Sequence, residues 1–250
     1  MSAFLHSKNF KSRTISAIML LVIGGIGLLT PNMDGFRILF GAAGTMACIE
    51  FLIVTRNKMQ IGEIIDDRFV VFEVVILAFG TLVVVVSLYP EEIILVLLAA
   101  IANDTFAYFT GNLFHGSIFG KKRPFPRVSP KKSWEGLIGG YFGAVIATFA
   151  FLVTWKYAHG MHNLERMLFN YTELYFILFA PAFAILGDYL ESFTKRCLGL
   201  KDSNEYIVER KIPILSQFEL LMTGHGGFAD RLDSWVVVAI LMFLLKTLPT

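Results

Sequence analysis

Charge is scarce in this chain. Only 17% of its 250 residues are Asp, Glu, Lys or Arg, whereas a soluble domain carries about 25% and needs it to cover its surface. Cysteine is scarcer still. Cys48 and Cys197 lie far apart and make no C-x-x-C pair, so they read as reduced packing residues with no disulfide framework or thiolate metal site. No G-x-x-x-x-G-K-[ST], G-x-S-x-G or H-E-x-x-H occurs, which removes P-loop hydrolysis, nucleophile-elbow hydrolases and zincins. Internal repeats and low-complexity stretches are absent as well. A net charge of +2 marks no nucleic-acid partner.

Apolar residues fill the space that charge leaves. They make up 55% of the chain, with 24 Phe and runs such as Val83-Val84-Val85-Val86, and the mean hydropathy is +0.63. In water such a surface would present large apolar patches. The composition therefore predicts an all-α, polytopic integral membrane helical bundle. It excludes a disordered tail protein, a disulfide scaffold and a soluble nucleotide-binding domain. Apolar windows predict about seven spans, near 15–30, 35–55, 69–88, 93–113, 134–155, 174–195 and 234–249, with room for an eighth or ninth segment. The run from Ile15 to Leu29 follows Lys8, Lys11 and Arg13 but has no A-x-A-like cleavage site. It reads as a retained first helix, not a signal peptide. Residues 1–92 form a set of N-terminal transmembrane helices, and 93–250 a catalytic transmembrane region with loops 114–133 and 195–233.

Orientation follows from the basic residues. With the N-terminus in the cytoplasm, 18 of 22 Lys and Arg fall on that side, leaving only Arg37, Lys156, Arg166 and Lys246 outside. Seven spans then place the C-terminus outside. Thr30-Pro31-Asn32 and Tyr89-Pro90-Glu91-Glu92 read as plain external turns. The two long cytoplasmic loops hold nearly all the unusual chemistry.

Four clusters carry it. Asn103-Asp104-Thr105-Phe106-Ala107-Tyr108 lies within a predicted span. Asp104, Tyr108 and Asn112 at i, i+4 and i+8 would form an inward polar stripe. It serves either function, as intramembrane carboxylates generally do, or helix–helix hydrogen bonding. In the loop Lys121 to Gly136, Ser129 as N-cap with Pro130 at N1 predicts a helix start. Lys131 and Lys132 would then project from its positive end toward phosphate. The alternative is an anchor for anionic lipid heads. Asp188, Glu191, Ser192 and Lys195 stand at i, i+3, i+4 and i+7, a polar face that suits a metal–phosphate site, although a snorkelling helix end also explains Lys195 and Arg196. Last, Gly224-His225-Gly226-Gly227 can turn its N–H groups toward an anion. Asp230 and Asp233 follow at i, i+3, where Mg²⁺ is commonly held by one or two carboxylates plus substrate phosphates. His225 reads equally as base, phosphate donor or backbone partner, and His6, His115, His159 and His162 show no partner spacing.

Together these residues resemble the CDP-diacylglycerol synthase (phosphatidate cytidylyltransferase) family. Ser192-x-x-Lys195-Arg196, Lys201-Asp202 and Gly224-His225-Gly226-Gly227-x-x-Asp230-Arg231-x-Asp233 are similar to its signature. Asn103-Asp104-x-x-Ala107-Tyr108 and Ser129-Pro130-Lys131-Lys132-Ser133-Trp134-Glu135-Gly136 are similar to two upstream motifs. The resemblance covers roughly residues 100–240. It implies transfer of the cytidylyl group of CTP to phosphatidate, giving CDP-diacylglycerol and pyrophosphate for phospholipid synthesis. It further implies a Mg²⁺ cofactor, with room for a second cation. Asp188, Asp230 and Asp233 would be the metal ligands, with Asp202 supporting. Lys131, Lys132, Lys195, Arg196 and Arg231 would contact phosphate. Asn103, Asp104, Tyr108, Ser129, Ser192, Lys201 and the Gly224–Gly227 run would line the substrate pocket. Membrane lipids are partners by necessity, and a homodimer is the candidate assembly. The expected home is the bacterial cytoplasmic membrane, with N-terminus and site facing the cytoplasm. The alternatives are a CTP-dependent lipid-alcohol kinase and a multi-pass transporter.

One segment departs from that pattern. The family joins the Lys-Asp pair to the glycine run by a much shorter stretch, usually closed by Pro-Gly. Here Ser203–Thr223 intervenes, with Thr223 in the Pro position. After Pro213, apolar Ile214, Leu215, Phe218, Leu221 and Met222 share one side, and Ser216, Gln217 and Glu219 the other. That predicts a short interfacial helix, acting as a lipid-side wall or lid; the alternative is an insertion packed on a neighbouring subunit.

Overall fold

The computed structural model describes residues 25–60, 67–114, 116–120, 122–160, 170–200 and 228–248. Every long element among them is a helix: α1 (Asp34–Gln60), α2 (Asp67–Val86), α3 (Pro90–Phe114), α4 (Trp134–Ala158), α5 (Tyr171–Cys197) and α6 (Ala229–Thr247), with a short 3₁₀ turn at Pro31–Met33 before α1. The first five are long and apolar enough to cross a membrane. They coincide with five of the seven predicted spans. The first predicted span falls mostly outside the described residues. The last is a helix, as expected, but Asp230, Arg231, Asp233 and Lys246 give it too much charge to qualify on composition. The described residues divide into two compact units, one formed by those up to Val85 and from Phe193 to Leu232, the other by Val86–Ser192 and those from Asp233 on.

In the first unit, α1 and α2 pack along stripes of helical spacing. Phe40, Ala47, Phe51 and Val54 are buried on α1, and Val70, Leu77 and Val84 on α2. Arg37, at the start of α1, donates from Nη1 to the carbonyls of Val84 (3.2 Å) and Val85 (2.9 Å) at the end of α2. A cation on the last carbonyls of a helix satisfies groups that have no partner in the helix itself, and it sets the pair antiparallel. Two carboxylates, Glu50 and Glu73, lie buried on these apolar stripes. The end of α5 closes at Gly199, whose φ of +66° lets the Leu200 N–H return to the Lys195 carbonyl at 2.8 Å, the left-handed termination that favours glycine.

In the second unit, α4 lies tightly against α3. A Cβ at Gly140 would stand 2.7 Å from the Asn103 carbonyl, and one at Gly136 would stand 2.8 Å from that of Ala107. Small residues at this spacing allow the close backbone approach that associates helices where lipid supplies no hydrophobic drive. Helix α5 begins with a reciprocal cap. Asn170 Oδ1 accepts from the Glu173 N–H (2.7 Å), and Glu173 Oε2 accepts from the Asn170 N–H (3.0 Å), as in a capping box. Lys156, at the end of α4, reaches the same carboxylate at 2.6 Å. Lys246, at the end of α6, pairs with Glu92 of α3 at 2.9 Å. Lys156, Glu173 and Glu92, with Trp155 and Met242, border a cavity of about 280 Å³. That cavity lies at the helix ends remote from the motif residues.

Candidate active site

The motif residues of the second unit gather at its other end. Lys132 forms an ion pair with Asp188 on α5, and it lies close enough to Asp104 of α3 for their charges to interact. Phe125 meets the ring of Tyr189, next to Asp188, with centroids 4.7 Å apart. Gly187 seats α5 on the backbone of Asp233 and Ser234 in α6, where an added Cβ would overlap the Asp233 carbonyl. Asp188 thus follows directly on the residue that touches Asp233. Asp233 is buried and accepts the Ser234 N–H at 2.6 Å.

The loop before α4 is arranged differently from expectation. Ser133, not Ser129, is the N-cap, its hydroxyl accepting from the Gly136 N–H at 3.1 Å. The Ser129–Pro130 pair instead opens a turn, with the Lys132 N–H on the Ser129 carbonyl at 3.3 Å. Lys131 and Lys132 therefore precede the helix and do not project from its first turn. Glu135 reaches back from α4 to accept the N–H groups of Phe119 (3.0 Å) and Ile118 (3.3 Å), tying both ends of the loop together. The polar stripe on α3 also needs correction. Asp104, Tyr108 and Asn112 are exposed and Asn103 is buried, because the small residues Ala107 and Gly111 turn the 103–107–111 face toward α4. Asn103 Nδ2 lies 3.5 Å from Asp104 Oδ1, and its buried Oδ1 has no hydrogen-bond partner among the described residues.

In the first unit, Lys195 pairs with Asp230, both side chains nearly buried. Glu73 on α2 is close enough to act on the same ammonium. Glu50 of α1 accepts the N–H groups of Phe228 (2.9 Å) and Ala229 (3.2 Å) at the start of α6. Arg196 is exposed and donates to the Leu200 carbonyl at 2.5 Å, serving its own helix end. Glu191 and Ser192 are buried. Lys201, Asp202 and Gly224, His225, Gly226 and Gly227 lie outside the described residues, as does the amphipathic stretch after Pro213, and Arg231 is described only as part of α6.

Sequence reasoning passed over Glu50 and Glu73, and it gave Glu135 no role beyond its place in a motif. The signal was present for the first two, since each is a lone carboxylate in an apolar run, and intramembrane carboxylates are functional by default.

Among the described residues no three His, Cys, Asp or Glu side chains form a metal cage. The donor set nonetheless fits Mg²⁺. That ion takes hard oxygen ligands, keeps several waters and uses one or two carboxylates with substrate phosphates in place of a protein cage. Asp188 beside the α5–α6 crossing, and the unpartnered Asn103 Oδ1, are donors of that kind. Ammonium groups already rest on Asp188 and Asp230, so these carboxylates lie where positive charge is favoured.

Five helices long and apolar enough to span define an integral membrane protein. Its sequence matches the cytidylyltransferase family over residues 3–248, and the chain belongs to that family. It is 37% identical over 134 residues to a phosphatidate cytidylyltransferase of Haemophilus influenzae, covering 53% of this chain and 38% of the relative. It is 36% identical over 149 residues to one of Thermotoga maritima, covering 58% and 45%. It is 33% identical over 175 residues to one of Mycobacterium tuberculosis, covering 68% and 43%. The match thus takes in less than half the length of each of these relatives.

Proposed function

We propose that this protein is a phosphatidate cytidylyltransferase: CTP and phosphatidate give CDP-diacylglycerol and pyrophosphate. The observation that carries this reading is the family match from residue 3 to residue 248. In the reaction, a phosphate oxygen of phosphatidate attacks the α-phosphorus of CTP. The bond from that phosphorus to the oxygen bridging the β-phosphate breaks, and pyrophosphate leaves with the bonding pair. The nucleophile is anionic near neutral pH, so the obstacle is repulsion between two polyanions and charge growing on the leaving group. Positioned cations meet that need. Lys131, Lys132 and Lys195 hold phosphate oxygens in this reading. Mg²⁺, when bound, neutralises charge on the triphosphate, and Asp188, Asp230 and Asp233 are its proposed ligands. Seven spans and a site on the cytoplasmic side of a bacterial membrane complete the proposal, supported by the 18 basic residues counted on that side.

The test is product identity. With purified protein, phosphatidate and Mg²⁺, label at the α-phosphorus of CTP should enter lipid, and label at the γ-phosphorus should leave as pyrophosphate. EDTA should stop both. A γ-label in lipid would identify a lipid kinase, absence of transfer would overturn the assignment, and turnover surviving complete chelation would remove the metal.

A further inference from the structure

Helix α6 begins at Ala229, one residue beyond the Gly224–Gly227 run in sequence, and carries Asp230 in its first turn. The first N–H groups of any helix lack partners within it, and burying them unpaired is costly. At most helix starts a neighbouring Ser, Thr, Asn or Asp supplies the cap. The residues here are Gly226, Gly227 and Phe228, and none has a side-chain acceptor. The acceptor comes instead from α1, nearly 180 positions away in sequence. Glu50 is fully buried, and its two carboxylate oxygens take one N–H each, Oε1 from Phe228 and Oε2 from Ala229. A carboxylate is suited to this place, because the helix start concentrates partial positive charge and charged acceptors form the stronger hydrogen bonds.

We propose that Glu50 is a positioning residue of the reaction, a cap supplied from a distant helix that fixes where the Asp230 turn begins. The proposal rests on the cytidylyltransferase reading for its catalytic part. The clamp leaves little freedom. Both oxygens are engaged, and Glu50 stands between buried Ala47, Phe51 and Val54. Asp230 in turn holds Lys195, so a shift at Phe228 or Ala229 moves a carboxylate and an ammonium together. Glu50→Gln keeps the shape but replaces one acceptor oxygen with an NH₂ that meets an N–H donor. Glu50→Asp keeps the charge but withdraws it by one methylene. Gln should therefore be the more damaging change, and Asp intermediate.

Two measurements on the full-length purified protein test this. Hydrogen exchange of the peptide spanning Phe228–Leu232 should be faster by about ten-fold or more in Glu50→Gln, the loss expected for a hydrogen bond to a charged acceptor, while α3 and α4 keep wild-type protection. Per folded molecule, the Mg²⁺ concentration giving half-maximal CDP-diacylglycerol synthesis should rise several-fold, with partial recovery in Glu50→Asp. Glu173→Gln is the control, since it breaks a half-buried pair at the far end of the second unit and should lower Tm without moving the Mg²⁺ requirement. Unchanged exchange at Phe228–Leu232 in both Glu50 variants would overturn the clamp. Faster exchange with wild-type Mg²⁺ dependence would reduce Glu50 to a structural residue and overturn the positioning role. If wild-type protein makes no CDP-diacylglycerol, the functional reading fails, and the exchange result still decides the clamp.

Discussion

Each of the two units holds one lysine–carboxylate pair among its motif residues, and the pairs differ in burial. The side chains of Lys132 and Asp188 are each about a third exposed, whereas those of Lys195 and Asp230 are about a tenth exposed. An ion pair open to water contributes up to about 1 kcal/mol, but removing one partner of a buried pair costs about 3–5 kcal/mol because the other charge stays behind. Asp188→Asn should therefore retain a near-wild-type Tm and lose CDP-diacylglycerol synthesis. Asp230→Asn should lose both. Adding Lys195→Met to Asp230→Asn should restore much of the stability and none of the activity. Normal turnover in Asp188→Asn would remove that residue from the proposed metal ligands. The sequence made Asp188 and Lys195 stand out on one helix, and Asp230 and Asp233 on another, because each set keeps helical spacing. Which lysine meets which aspartate was not legible, since Lys132 and Asp188 are 56 positions apart and only the packing of α4 and α5 brings them together. Glu50 and Glu73 were legible as isolated carboxylates in apolar runs, but the N–H groups that Glu50 accepts and the ammonium near Glu73 lie on distant segments, which no local pattern encodes.

At the scale of elements, helix interiors could be read and their edges could not. Apolar windows located α1 to α5 because a span must be long and apolar. The start of α4 was misplaced because two serines compete for it. Ser129-Pro130 has the stronger local signature, yet Ser133 takes the cap, with the Gly136 N–H in reach and Glu135 drawn back onto Phe119. The loop is tied at both ends, and that tie fixes where the helix can begin. The face of α3 was misjudged by one residue for a related reason. Asp104 drew attention as a charge, but close contact with Gly136 and Gly140 selects the side bearing Ala107 and Gly111. These two findings separate the serines experimentally. Ser133→Ala should cost about 1 kcal/mol, the usual loss of a helix cap, seen as a lower Tm. Ser129→Ala should change stability little, since its side chain caps no helix. The opposite order would return the helix start to Pro130.

For the whole molecule, orientation is the property on which the proposed use of a soluble nucleotide depends. Within the second unit, α3 to α6 alternate in direction. Lys156 at the end of α4 meets Glu173 at the start of α5, and Lys246 at the end of α6 meets Glu92 at the start of α3. Asp188 and Asp233 accordingly belong to the opposite end, with Lys132. The basic residues divide the same way. Lys122, Arg123, Arg127, Lys131 and Lys132 crowd the motif end. The two lysines at the other end are each matched by a glutamate, and so add little net positive charge there. The retention of Lys and Arg on the cytoplasmic side then predicts that the motif end faces the cytoplasm. Cysteines at Pro126 and Ala158 test this, both positions being exposed and neither belonging to an ion pair. In a background with Cys48 and Cys197 replaced by Ala, intact cells treated with a membrane-impermeant thiol reagent should label the Ala158→Cys protein. The Pro126→Cys protein should react only after the membrane is opened or in inverted vesicles. Labelling of Pro126→Cys from outside would place Lys132 and Asp188 on the wrong side for cytoplasmic CTP, and the proposed reaction would fail with it.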